Sequence, residues 1–516
     1  KNLAKNVSSD RSVCIRVVNN EFCQEVIRRL GKPITSTSAN LSGQPSALTF
    51  NDISDELKQA VDYTVQLFHD DISKPKSATI IKLNDDNAAV MKVVKAETDG
   101  AYGSKVWTLS NGIKIVWKQT DFKKDQVLMT AYSQGGYLLE KDQPNIVRQT
   151  LDDMFGVGGI GQFKSTDLPK VLAGKNVSCS TSISDDCEVV SGSAAPKDLR
   201  TLFELVYLGY TEPRYDEEAY QAWFNRVQNQ YQMMLGKPQK TMSDSLQLTL
   251  YPGKPEMAPN QLEDLAQLDY KKGFELSKKR FANPADFTFY FVGNIDTDSL
   301  RAFSELYLAS LPTTAERETE PAPILPTRGS RENRFDLPMQ QPKTSVYNFF
   351  LLYDQPFSLK ESLMTDMLGQ SAAIVFTETI REKEGGVYSP HAQASLGFTS
   401  KLGQMLYLFD TGADKLERIE GVAFNEFKKM ADEGIREDVF QKVHDYMAKR
   451  HEEQVKENGF WLGQLRNMDM YQLNLVDNWN EALDSITLQD LQNLMKKYVY
   501  EADRIQFISN GVEKTE

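Results

Sequence analysis

Arg381 and Tyr388 stand seven residues apart in REKEGGVYSP, residues 381–390, with Gly385 and Gly386 between them. An arginine keeps its charge at any ordinary pH and offers a planar fork of donors; a tyrosine offers one O–H. Such a pair suits a carbonyl oxygen that turns negative as a tetrahedral intermediate forms. The same residues also read as a plain helix end. Arginine in a last turn complements the helix dipole, a glycine caps, and the tyrosine packs where a strand begins. Residue types alone favour that plainer reading.

A second group lies in TSTSANLSG: Ser38, Asn40, Ser42 and Gly43, where a strand runs into a loop. Small hydroxyls and open backbone N–H groups at such an exit can cradle a phosphate. An ordinary Ser/Gly-rich turn uses the same residues.

Metal chemistry finds little support. The chain has four histidines, His69, His391, His444 and His451, and neither HExxH nor HxxEH occurs. His444 and His451 share VHDYMAKRHEE, a predicted helix, two turns and about 10 Å apart, too far for one metal. Both read as solvated helix face. The cysteines Cys14, Cys23, Cys179 and Cys187 form no CxxC pair. Cys179 and Cys187 flank STSISDD and either face each other across a hairpin or remain free, half-buried thiols.

The elements that must position these groups change character along the chain. Its 516 residues suggest about three domains, and 40% apolar with 25% charged residues is globular composition. A net charge of −13 argues against a nucleic-acid surface. No apolar run reaches membrane-span length. The opening KNLAKNVSSDRS lacks a signal-peptide core.

Up to about residue 96 the texture is α/β: the apolar run SVCIRVV, the helix NEFCQEVIRRLG closed by Gly31, a helix NDISDELKQAV with Asn51 as its cap, and a strand SATIIKL. Beyond it, KVWTLSNGIKIVWKQ reads as a hairpin about Asn111-Gly112. Strands and long helices follow, including NIVRQTLDDMFGVGG and the strand in DFTFYFVGNID. PTTAERETEPAPILPTRGSRENRF is linker-like, and after it the order repeats, with FYFVGN and IQFISNG as equivalent closing strands. The expected fold is a partial α/β piece at 1–96 followed by two homologous α+β units, 97–320 and 330–516, each an antiparallel sheet packed with helices.

The stretch SVCIRVVNNEFCQEVIRRLGKPITSTSANLSGQPS, with SATIIKL after it, resembles YrdC-like threonylcarbamoyl-AMP synthases, most specifically in TSANLSG. That family joins threonine, bicarbonate and ATP into an adenylate used in tRNA modification. The resemblance implies that Ser38 and Asn40 belong to a nucleotide site and that Arg16 contacts phosphate. Thr79 falls in the family's Ser-Thr-Ile stretch, from which KSATII departs. Only the back half of the family's domain is covered. Its essential Lys and Arg belong to the front half, so ATP is a candidate ligand but no synthase activity is expected from this piece by itself.

Residues from about 97 onward resemble the C-terminal half of pitrilysin/insulinase-family zinc metallopeptidases, of LuxS/processing-peptidase-like fold. TLSNGIKIVWKQTDF, TEPRYDEEAYQAW, FYFVGNIDTDSLRAF and Arg-x3-Gly-x2-Tyr in REKEGGVY carry the resemblance. Such enzymes hold zinc through HxxEH in their first unit, and an Arg/Tyr pair in the last reaches the substrate. The resemblance implies those roles for Arg381 and Tyr388, an extended peptide as substrate, and a catalytic HxxEH half as partner holding the zinc, with no cofactor bound by this chain alone. The helix comparable to the zinc helix has Asp152 and Asp153 but no histidine, and adjacent helical residues point about 100° apart. The synthase resemblance implies the cytoplasm, the peptidase resemblance the bacterial envelope or periplasm. Each resemblance lacks its front part, so a composite chain joined near residues 85–105 is expected. A purely structural interaction protein is the remaining alternative.

Overall fold

The computed structural model describes residues 21–32, 34, 49–65, 94–383, 385 and 387–513, and of Tyr388 it describes the backbone. The chain divides into two compact units, Lys1–Met91 and Lys92–Glu516.

In the first unit, the helix Glu21–Leu30 carries Glu25 between two arginine contacts, Arg28 and Arg29, and Gly31 follows it at φ +66°. A left-handed backbone there suits glycine and ends the helix. The second helix, Asp55–Ala60, is capped by Ser54, whose Oγ accepts the Leu57 N–H. Asn51 is not the cap. It sits inside the 3₁₀ turn Phe50–Asp52, where Thr49 and Asp52 bond each other, so the α-helix starts later than NDISDELKQAV suggests.

The second unit holds fourteen strands among the described residues: β1 Val94–Asp99, β2 Lys105–Leu109, β3 Lys114–Gln119, β4 Val127–Gln134, β5 Gly159–Ile160, β6 Phe163–Lys164, β7 Val177–Ile183, β8 Cys187–Ala194, β9 Thr288–Gly293, β10 Arg331–Met339, β11 Thr344–Leu352, β12 Val387–Leu396, β13 Gly403–Thr411 and β14 Asp503–Glu513. One sheet runs β1-β2-β3-β9-β4-β8-β7, the other β10-β14-β11-β13-β12, and β5-β6 is a small ribbon. Five strands of the first sheet, β3-β9-β4-β8-β7, repeat the order of the second. In both, the late strand (β9 or β14) inserts parallel to one neighbour and antiparallel to the other. FYFVGN and IQFISNG are these two inserted strands.

Asn111-Gly112 makes the β2–β3 turn, with Gly112 at φ +89° and the Asn111 side chain donating to the Leu308 and Leu311 carbonyls at 2.9 and 3.1 Å. Every residue of β9 is buried, which requires cover on both faces. Alternate side chains divide between the two covers. Phe289 and Phe291 join the core formed with the unit's own helices, while Tyr290 and Val292 meet Trp461, Leu462 and Leu465. Those three belong to the helix Asn458–Tyr471, which comes from beyond the second sheet's first four strands. The exchange runs both ways. The helix Pro238–Leu250 lays Leu246 and Leu250 against Phe349, Leu351, Leu406 and Ile505 of the second sheet.

The first contact is also polar. Asp469 accepts from Tyr290 Oη at 2.9 Å and pairs with Lys114, and buried Asn458 accepts from Thr120 Oγ1 at 2.6 Å. On the other face of the second sheet, Leu359–Phe376, Leu416–Asp432 and Leu488–Tyr500 enclose a core around Phe350, Phe376, Tyr407 and Phe427.

Cys179 pairs in register with Gly192, not Cys187, and both cysteines are free and half-buried. The histidines correct their expectation. His444 Nε2 contacts Asp484 at 2.9 Å, and His451 stacks on Trp479 with ring centroids 3.8 Å apart. Both are half-buried rather than fully solvated, because the segment at 479–484 folds back across their helix.

Candidate active-site arm

The helix Leu359–Phe376 continues as the π-helical turn Thr377–Lys383, which packs against β12. Thr379 and Ile380 are buried and anchor the turn. Arg381 is next in sequence, rotated by roughly 90–100° as helical geometry requires. It is exposed and makes no hydrogen bond or ion pair with any described residue. Its neighbour Glu378 is occupied, accepting from Arg436 Nη1 at 2.8 Å. An unpaired guanidinium at the end of an anchored turn is free to meet a carboxylate or an oxyanion.

Gly385 at φ +65° turns the chain toward β12. The Tyr388 backbone lies in that strand, paired with Asp410, and its side chain lies outside the described residues. The register shifts between Tyr388 and His391, with Ser389 at φ +48°. A bulge of this kind re-aims side chains. Asp410 is held by Lys343 Nζ at 2.7 Å and Ser345 Oγ at 2.5 Å. β12 ends the sheet, so among the described residues one edge of it has no partner strand. An extended peptide can add to such an edge through its backbone. Arg381 therefore stands on the turn that leads into the terminal strand of the sheet, the strand that holds the Tyr388 backbone. Arg16, Ser38, Asn40 and Thr79 lie outside the described residues.

Zinc sites need about four ligands, typically His, Cys or carboxylate. Among the described residues no three such side chains gather, so the residues described do not fit a zinc ion. In the first sheet's comparable connection, the expected single helix breaks at Thr150, whose Oγ accepts nothing helical but donates to the Ile146 carbonyl at 2.6 Å. Asp152 accepts the Ile183 N–H at 3.1 Å, and burial pushes its carboxyl up to about 6. Burial also raises Asp153, against a bond to Trp223 and the charge of Arg226.

One residue of this connection gives almost no sequence signal. Arg148 is 7% exposed. Its apolar neighbours Ile146, Val147 and Leu151 are the only hint that its position faces inward.

Comparison with known proteins divides the chain. Residues 278–446 match the family profile described as Peptidase M16 inactive domain, and residues 1–93 match the Sua5/YrdC profile described as Telomere recombination. The chain is a composite of two family resemblances. The PQQL-like zinc protease of Arabidopsis thaliana is 24% identical over 387 residues, 69% of this chain and 36% of that protein. The threonylcarbamoyl-AMP synthase of Vibrio campbellii is 41% identical over 46 residues, 9% of this chain and 25% of that protein. The crystal structure of the periplasmic protease PqqL from Escherichia coli superposes with TM-score 0.71 at 18% identity, covering 89% of this chain and 50% of that one. The fold is thus that of M16 peptidase units, mixed sheets packed with helices. The chain spans about a third of the plant protease's length and half of the solved PqqL chain.

Proposed function

We propose that residues 92–516 form the non-catalytic, peptide-binding half of an M16-like zinc peptidase. In this reading a partner half bearing HxxEH supplies the zinc chemistry, and Arg381 and Tyr388 complete the partner's site by contacting the substrate carbonyl. The observation that carries the reading is the exposed Arg381, unpaired among the described residues, on an anchored turn leading into β12, the terminal strand of its sheet. The resemblance to PqqL-like zinc proteases supports it. The periplasm is the proposed location, following the solved PqqL. No helix among the described residues is long and apolar enough to cross a membrane.

Complementation tests this directly. Mixing the chain with a catalytic HxxEH half should give chelator-sensitive peptide hydrolysis. Arg381→Ala should lower kcat by roughly 100-fold or more, as loss of one oxyanion donor does. Hydrolysis unchanged by Arg381→Ala, or none in any mixture, would sink the reading.

A second reading concerns residues 1–93, where identity to threonylcarbamoyl-AMP synthases reaches 41–43% over short stretches. Calorimetry with ATP checks it: binding lost in Ser38→Ala and Asn40→Ala would support a retained nucleotide site, with Arg16 and Thr79 beside it. Absence of binding by the intact chain would end it.

A further inference from the structure

Arg148 lines a cleft of about 860 Å³ in the first half of the peptidase-like region. Cavities of 300–1,000 Å³ are the size that holds small ligands. Arg148 is more than nine-tenths buried, and its Nε has no hydrogen-bond partner. Its one bond among the described residues runs from Nη2 to Asn145 Oδ1, a neutral acceptor. Glu256, Asp264 and Glu320 line the same cleft, yet none reaches ion-pair distance of Arg148. Asp264 is already engaged, accepting from the Gln261 N–H at 2.7 Å and from Gln267 Nε2 at 2.9 Å. An arginine cannot shed its proton to escape burial. A buried cation without a counter-charge is costly, so this position is built for an anion that the chain does not itself provide.

Charge and shape narrow the anion. Two cations, Lys141 and Arg148, face three carboxylates across the cleft. That balance repels a phosphate dianion and tolerates one carboxylate seated directly on the guanidinium fork. In the lining of the same cleft, the buried Oε1 of Gln143 is an acceptor with nothing donating to it. A carboxylate next to an amide N–H would satisfy both groups at once. Pro144, Pro255, Pro259 and Pro321 stiffen the walls, and Ile146 and Ile324 supply apolar contact. Rigid, partly apolar walls around a paired donor and acceptor describe a peptide subsite.

The geometry points to a carboxylate-reading subsite at Arg148 and Gln143, which holds a peptide's C-terminal carboxylate or an acidic side chain. It rests on the peptide-binding reading above and adds to it a preference for anionic substrate segments. The site is distinct from the arm that carries Arg381.

The test uses the full chain without a catalytic partner. The probes are the acetylated tetrapeptide Ala-Leu-Pro-Ala as free acid, the same peptide amidated, and acetylated Ala-Asp-Pro-Ala amide. Calorimetry and thermal melting are the readouts. The free acid, the Asp peptide, or both should bind and raise the Tm, and the neutral amide should not. Which of the two binds identifies the carboxylate's source. Arg148→Met should lower affinity at least tenfold while leaving the unliganded Tm equal or higher, because it removes an uncompensated charge. Gln143→Leu should weaken the same peptides. Equal binding of the neutral amide, an equal response to inorganic phosphate, or no binding of any peptide would overturn the proposal. So would a several-degree fall in Tm for both Arg148→Met and Arg148→Lys, the mark of a structural cation. Since no partner is present, failure here leaves the complementation reading standing, and failed complementation leaves this result standing.

Discussion

Two arginines occupy corresponding connections of the two sheets and meet opposite surroundings. In the first sheet, β4 leads through Asn145–Gln149 and Leu151–Gly156 toward β7; in the second, β11 leads through Leu359–Phe376 and Thr377–Lys383 to β12. Arg148 is buried among prolines and Arg381 stands in solvent, and neither has a counter-ion among the described residues. The same strand order thus carries one cation that demands a ligand to offset its burial and one that water already satisfies. Desolvation, not residue type, decides which of the two selects its ligand and which merely awaits it.

The sharpest contrast is with a third arginine. Arg280 is as buried as Arg148 but pairs with Glu188 at 2.7 Å, with Glu140 at 3.3 Å and with Glu318. Arg280→Met strands Glu188 as a buried charge and should cost about 3–5 kcal/mol in urea unfolding. A loss no greater than that of Arg148→Met would erase the distinction between partnered and unpartnered burial.

Next come the exchanged helices. Leu465 is 2% exposed against β9 and β4, and Leu465→Ala should cost roughly 2–5 kcal/mol. Leu246, its half-buried counterpart against the second sheet, should cost about 1 kcal/mol when cut to Ala. Equal losses would mean that the two sheets lean on each other evenly.

A smaller effect separates Asp152 from the exposed acids. Its folded carboxyl titrates near 6 against an ordinary 3.8. The folded state therefore binds more protons between those values, and stability falls as pH rises from about 4 to 6. Asp152→Asn should remove that slope and gain about 1 kcal/mol at pH 7 after solvent screening. Melts at pH 4.5 and 7 in both proteins check the sign.

The smallest change belongs to Arg381→Ala, within about 0.5 kcal/mol by urea unfolding, as for other surface substitutions. A larger loss would assign Arg381 a structural contact.

Where local chemistry decides the outcome, the sequence is readable. Asn111-Gly112 forces a hairpin, and the apolar runs of β9 and β14 can sit only inside a sheet. Arg381 is readable for the same reason, because a helix end beside two glycines leaves it outside. Long-range partners are not readable. Nothing near NGFWLGQLRNMDMY says that its apolar face belongs to the other sheet. His451 looks solvated until Trp479, nearly thirty residues on, folds over it. Arg148 misleads most, since arginine defaults to the surface and only the assembled cleft shows its isolation.

The helix exchange has a consequence in time. The outer face of β4 and β9 is complete once residue 293 is made, yet its cover begins at Asn458. At typical synthesis rates the ribosome needs on the order of 10–30 s to add those intervening residues. Throughout that interval Tyr132, Tyr290 and Val292 stand bare on the nascent chain. A first sheet that forms within that interval keeps this apolar face uncovered until the helix arrives.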